Sequence, residues 1–132
     1  MSAIMPTYGR LPVTFASGSG AYLTDQKGQQ YLDALSGIAV TNLGHSHPSV
    51  TRAVTEQAES LLHTSNLYGI AQQERLAAEL NQVTGMERIF FCNSGAEANE
   101  TAIKMARRHG HNKAIANPQI VVLEGAFHGR TM

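Results

Sequence analysis

Apolar and polar positions follow three different rhythms along this chain, and each rhythm predicts a different kind of element. Residues 11–15, 21–24 and 29–33 are short stretches of apolar, aromatic and β-branched side chains. Turn formers separate them, Ser17-Gly18-Ser19-Gly20 in the first gap and Asp25-Gln26-Lys27-Gly28 in the second, so the spacing predicts a small antiparallel meander. A Gly-containing stretch, residues 36–47, leads to Pro48, whose fixed φ suits the first turn of a helix. From there Val50, Ala53, Val54, Ala58, Leu61 and Leu62 fall on one face at helical spacing. A second helix is predicted over 71–83, with Leu76, Ala77, Leu80 and Val83 on one stripe and Gly85 as its stop.

After Arg88 the apolar positions become continuous. Ile89, Phe90, Phe91 and Cys92 form an unbroken run, the mark of a strand buried on both faces, and it feeds through Asn93-Ser94-Gly95 into a helix predicted to reach about His109. Ile120, Val121, Val122 and Leu123 form a second such run. Strand, helix, strand is the order of a βαβ unit, which implies a parallel sheet, a right-handed crossover and an α/β fold. The chain stops soon after the second run, without a tail that marks a finished domain, and it is therefore expected to be an N-terminal fragment of a longer protein.

Composition narrows the partners. With 132 residues and 42% hydrophobic content the chain has the make-up of a soluble globular domain or a piece of one. Ten basic residues balance ten acidic ones, so no long-range field draws it to nucleic acid or to an anionic membrane, and any anion must be caught locally. A single cysteine, Cys92, rules out an internal disulfide and fits a reducing compartment. No apolar run approaches the roughly 20 residues needed to cross a bilayer, and the first residues carry neither a signal-peptide nor a transit-peptide pattern, so a cytoplasmic location is expected.

The chemistry concentrates after the first apolar run. In an open parallel sheet, ligands bind beyond the C-terminal ends of the strands, where helix N-termini present unpaired N–H groups and the positive end of the macrodipole. Ser94, Gly95 and Ala96 occupy such a place, and Gly95 and Ala96 leave the backbone sterically open to a phosphate. Ser94 followed by Glu97 also spells a capping box that needs no ligand, and the two readings can coexist. Neither a G-x-x-x-x-G-K-[ST] loop nor a dinucleotide turn in its proper strand-to-helix context is present, which disfavours ATP and NAD. His45 with His47, and His109 with His111, lack a third ligand at plausible spacing, so no metal is expected, and His47 is expected to cap the helix opened by Pro48. Cys92 is expected to be a small core residue, and Arg107, Arg108 and His109 to complement the negative end of their helix.

The stretch from Phe91 to Lys104, Phe-Cys-Asn-Ser-Gly-Ala-Glu-Ala-Asn-Glu-Thr-Ala-Ile-Lys, resembles the phosphate-binding segment of class III (ornithine-type) aminotransferases, and residues 126–131, Ala-Phe-His-Gly-Arg-Thr, resemble their next motif. Leu43-Gly44-His45-Ser46-His47-Pro48 also resembles this family, while Gly37-Ile38-Ala39-Val40 and residues 63–68 resemble its acetylornithine branch. The resemblance runs from about Pro12 onward and implies the fold type I of enzymes that use pyridoxal 5'-phosphate (PLP), with residues 1–65 contributing to a small domain and 66–132 beginning the large PLP-binding domain. It further implies that Ser94, Gly95 and Ala96 hold the cofactor phosphate, that Phe127 and His128 lie against the cofactor, and that Arg130 takes the substrate α-carboxylate. Many relatives have Thr where this chain has Ala96, so here the grip rests on backbone donors. The Schiff-base lysine and the aspartate that pairs with the pyridine nitrogen would lie beyond Met132, and none of Lys27, Lys104 or Lys113 sits in a matching motif. The implied activity of the whole protein is transfer of the δ-amino group of N2-acetylornithine to 2-oxoglutarate by a homodimer, in arginine biosynthesis or a related catabolic route, with these 132 residues alone inactive. Succinylornithine, ornithine or 4-aminobutyrate aminotransferases and aminomutases of the same class remain alternatives, although Ile38 stands where ornithine enzymes tend to carry tyrosine. An alternative of a different kind is a non-catalytic anion-binding α/β module.

Overall fold

The computed structural model describes residues 3–131, so the ends of both expected segments, residues 1–2 and 132, lie outside the described residues. The contacts divide the chain into two units, Met1–Tyr68 and Gly69–Met132. Among the described residues this is an α/β chain with one small antiparallel sheet and four helical elements.

In the first unit the meander forms as β1 (Phe15–Ser19), β2 (Tyr22–Asp25) and β3 (Gln30–Leu32), paired in that order. Gly18 stands opposite Leu23, and Leu23 opposite Tyr31. The first strand begins where the sequence pattern expected it to end, so Ser17, Gly18 and Ser19 belong to a strand and the turn shifts to Gly20 and Ala21. Packing explains the glycine: a Cβ on Gly18 would stand 2.8 Å from both Cβ and Cγ of His45, so the His45 side chain rests on bare backbone. Phe15 and Tyr31 meet edge to face, with ring centroids 5.5 Å apart.

Two carboxylates organise this unit. Asp25, 8% exposed, accepts the Lys27 and Gln29 backbone N–H groups on Oδ1 at 2.8 and 2.9 Å, and the Tyr31 hydroxyl on Oδ2 at 3.3 Å. Burial, reinforced by the Asp25 charge and that hydrogen bond, pushes the Tyr31 phenol above its ordinary range. Asp33 works in the same way one turn later. Its Oδ1 accepts from Leu35 and Ser36 at 3.0 and 2.9 Å, and its Oδ2 lies 2.6 Å from Nε2 of His45. The hydrogen bond to His45, followed by that from Ser36, holds the Asp33 carboxyl below the usual carboxylate range. His45 is also tied by backbone to the meander, donating to Gly20 O at 2.8 Å and accepting from Gly20 N at 3.0 Å.

Between Asp33 and His45 lies α1 (Ser36–Ala39), a single turn in which all four residues have positive φ, from 51° at Ser36 to 64° at Ile38. It is left-handed, and its closing bond runs from Val40 N to Ser36 O at 2.8 Å. The helix α2 (Pro48–Ser60) follows with proline in its first turn, as the pattern expected. His47 occupies the N-cap position, but its side chain makes no capping bond and its Nδ1 is buried without a partner. An imidazole is not one of the short side chains that fold back onto the second or third N–H, so the expected cap is not made.

The second unit holds α3 (Ala71–Thr84) and α4 (Gly95–Asn112). Gly85 ends α3 in the left-handed conformation, φ 70°, donating to Asn81 O at 3.0 Å. The apolar runs at 89–92 and 120–123 flank α4 in the expected order, yet neither forms a hydrogen-bonded strand among the described residues. A parallel ladder needs a neighbour, and neither run serves the other as one. Their side chains stand open, with Phe90 65% and Val121 96% exposed, and Cys92 is exposed instead of lying in a core. Among the described residues no apolar side chain is buried, and no helix is long and apolar enough to cross a membrane.

Candidate functional site

The first turn of α4 is built by reciprocal capping. Ser94, extended at φ −156° and ψ 159°, accepts the Glu97 N–H on its Oγ at 3.3 Å. The Glu97 carboxylate turns back and accepts the Asn93 N–H at 2.6 Å, one residue earlier than a standard capping box, with the Asn93 amide at 3.5 Å. Ala98 N donates to Ser94 O at 3.1 Å, and the Cys92 thiol donates to the same carbonyl at 3.5 Å.

This arrangement settles which donors are left over. The N–H groups of Gly95 and Ala96 have no acceptor among the described residues, and they sit at the positive end of an 18-residue helix. The Glu97 carboxylate is turned onto Asn93. Nothing stands within 4 Å of where a Gly95 Cβ would be, so the approach is open. Ser94 uses its oxygen as an acceptor and keeps a hydroxyl proton to give. Two backbone donors, one hydroxyl and a helix terminus form a donor set that fits a phosphate group.

The other candidate residues lie on the segment after the second apolar run. Phe127 is 77% exposed, and His128 and Arg130 are exposed as well. What joins this segment to α4 is Gly129, which the sequence reading did not single out. Its φ is +102°, and a Cβ there would stand 2.7 Å from the Ala96 Cβ and 3.1 Å from the Ala96 Cα. Bare backbone at 129 therefore rests directly on the second residue of the helix, and Ala96 is partly covered while its neighbour Gly95 is open. The available signal was a glycine inside the second motif, flanked by larger polar side chains, with no local turn pattern to account for it.

Lys104 pairs with Glu100 one turn back at 3.3 Å on an exposed helix face, so it carries a solvated intrahelical pair. Among the described residues no group of three or more His, Cys, Asp and Glu side chains could hold a metal ion.

Comparison with known proteins places this geometry in a family. The family described as aminotransferase class-III matches residues 4–132. An acetylornithine aminotransferase of Nitrosomonas europaea is 59% identical over 132 residues, covering 100% of this chain and 34% of that protein. The crystal structure of N-acetylornithine aminotransferase from Stenotrophomonas maltophilia superimposes with a TM-score of 0.84 at 42% identity, over 92% of this chain and 34% of that one. An ornithine aminotransferase from Toxoplasma gondii, crystallised with oxidised glutathione and described as having PLP in partial occupancy at its active site, gives a TM-score of 0.83 at 32% identity, over 88% of this chain and 27% of that one. The chain thus spans about a third of the length of the curated relatives it matches.

Proposed function

The chain belongs to the class-III aminotransferase family, and from that membership we propose that the full-length protein transfers the δ-amino group of N2-acetylornithine to 2-oxoglutarate with the help of PLP. The observation that supports this reading is the seating of Gly129 on Ala96, which brings the second motif against the residue that carries one of two unused N–H groups. Identity of 59% with an acetylornithine aminotransferase supports acetylornithine as the amino donor.

In this reading Gly95 and Ala96 hold the cofactor phosphate through backbone N–H groups, and Ser94 adds its hydroxyl. When bound, PLP supplies an electron sink for the carbon bearing the amine. Phe127 and His128 face the cofactor, the exposed phenyl ring offering a flat apolar surface at little conformational cost. Arg130 binds the α-carboxylate, because a guanidinium fork matches a carboxylate bidentately. The reacting amine of acetylornithine is the distal one, so holding the far end of the molecule orients it for reaction. The lysine that carries the cofactor lies outside these 132 residues, and the active enzyme is a cytoplasmic homodimer.

A substrate panel on the full-length protein tests the reading. Acetylornithine with 2-oxoglutarate should give the highest kcat/KM. Preference for 4-aminobutyrate or free ornithine would sink the choice of donor, and turnover without 2-oxoglutarate would point to an aminomutase. The 132-residue chain supplied with PLP should show no transamination.

A further inference from the structure

Residue 97 holds the turn in front of α4 from both sides. Its N–H donates to the Ser94 Oγ at 3.3 Å, and its carboxylate accepts the Asn93 N–H on Oε2 at 2.6 Å, with the Asn93 amide nitrogen 3.5 Å from Oε1. A standard capping box would use that carboxylate on the N–H of the capping residue itself. Here it passes Ser94 by, and the Ser94 N–H, like those of Gly95 and Ala96, has no acceptor among the described residues. Three consecutive backbone donors are therefore left at the positive end of α4. The same tie decides where a negative charge goes. An acid in the first turn of a helix is drawn to the N–H groups and dipole that attract a phosphate, so an unfastened one competes with an anionic ligand. Glu97 is the acid of that first turn, and Glu100, the next along α4, lies 3.3 Å from Lys104.

We propose that Glu97 is a positioning residue for the cofactor phosphate: fastened to Asn93, it fixes the turn that carries the N–H donors of residues 94–96 and keeps its own charge from taking them. This rests on the reading of Ser94–Ala96 as the phosphate cup. The two tasks need different properties of the side chain. Fixing the turn needs an acceptor oxygen at the right reach, which a neutral Gln also supplies. Keeping the charge away needs the full length of Glu. A carboxylate drawn back by one carbon–carbon bond, about 1.5 Å, falls short of the Asn93 N–H and leaves its charge at the helix end.

E97Q, E97A and E97D in the full-length apoenzyme separate these tasks. Each is titrated by absorbance with PLP and with pyridoxal, which lacks the phosphate, and inorganic phosphate is measured as a competitor of PLP. Urea unfolding of the apo forms reports the helix. E97Q should keep the PLP dissociation constant within about threefold of wild type, and E97A should raise it about fivefold, the size of one lost hydrogen bond. E97D should raise it about threefold beyond E97A, the size of a charge at a helix terminus. Competition by inorganic phosphate should weaken in the same order, while pyridoxal affinity stays within about twofold in all three, a small step on the tenfold-per-1.4 kcal/mol scale. In urea the order reverses, because an acid in the first turn stabilises a helix, so E97D should resist unfolding better than E97A. A purely structural cap would make binding follow stability. Equal losses for PLP and pyridoxal would overturn the proposal, as would E97D binding PLP at least as tightly as E97A. If E97A does not fold, E97D binding PLP as tightly as E97Q overturns it in the same way. Failure of the wild-type protein to bind PLP at all would overturn the functional reading instead, so the two failures are told apart.

Discussion

Asp33 satisfies two backbone N–H groups and one imidazole with two oxygens, and its titration should be visible in the stability of the protein. Its carboxyl is held below the usual range, so the unfolded chain takes up the proton first as the pH falls. The contribution is complete above the ordinary carboxylate value of about 3.9 and disappears as the pH drops through the lower folded value. In the full-length protein Asp33→Asn should therefore unfold more easily than wild type at pH 7, and the gap should narrow as the pH falls below the ordinary carboxylate range. A gap independent of pH, measured by urea unfolding, would speak against the pairing. Ile38 offers a second test at this scale. A β-branched residue at φ 64° carries strain of about 1–2 kcal/mol, and Gly would relieve it at a cost of about 0.5–1 kcal/mol in chain entropy. Ile38 is 80% exposed within these 132 residues, so Ile38→Gly gives up little packing inside this chain, and a gain of up to about 1 kcal/mol in denaturant unfolding of the full-length protein is expected if residues outside this chain leave Ile38 uncovered, a loss if they bury it. Neither feature was legible in the sequence. Asp33 and His45 are 12 positions apart, and His45 drew notice as half of a metal-like pair and as part of a stretch resembling the family, never as a partner of Asp33. No local pattern announces a left-handed turn containing Ile38 and Ala39, because only Gly37 among its residues favours one.

Helix ends, in contrast, could be read well from local chemistry. Gly85 stops α3 and Ser94 starts α4 where the pattern put them, since capping depends on side chains within three or four residues of the end. The same locality lets the cap be separated from the phosphate site. Ser94→Ala should cost about 1 kcal/mol of stability, whereas Ser94→Asp, an equally good N-cap, should keep the helix intact. Its negative charge beside the Gly95 and Ala96 donors should nevertheless abolish PLP binding, measured by absorbance titration of the full-length protein. Retained PLP binding in Ser94→Asp would leave the capping box as the whole explanation of this turn. Strands were read less well, for a related reason. Ser17-Gly18-Ser19 looks like a turn until the side chain of His45 is laid across it, and the runs at 89–92 and 120–123 look like strands without having partners. Both depend on residues far along the chain.

Taken together, the 132 residues expose 12146 Å², against roughly 6,800 Å² for a folded monomer of 14.2 kDa. No apolar side chain among the described residues is buried, so this stretch by itself lacks the main favourable term of folding. Expressed alone, it should bind a hydrophobic dye strongly and melt over a broad range, while the full-length enzyme should bind little dye and unfold cooperatively. A sharp, dye-free transition of the short chain would contradict this. The family was legible because the two motifs carry it residue by residue, and Gly129 on Ala96 gives their order along the chain a spatial meaning. The carboxylate anchors of the first unit bear on how such a protein is made. Asp25 reaches no further than six residues and Asp33 no further than twelve, so these bonds can close as soon as residues 25–45 have been made. Loops of this length close in well under a microsecond, against a synthesis rate of about 5–20 residues per second. These local bonds can thus form and re-form long before the apolar surfaces around them find anything to bury them.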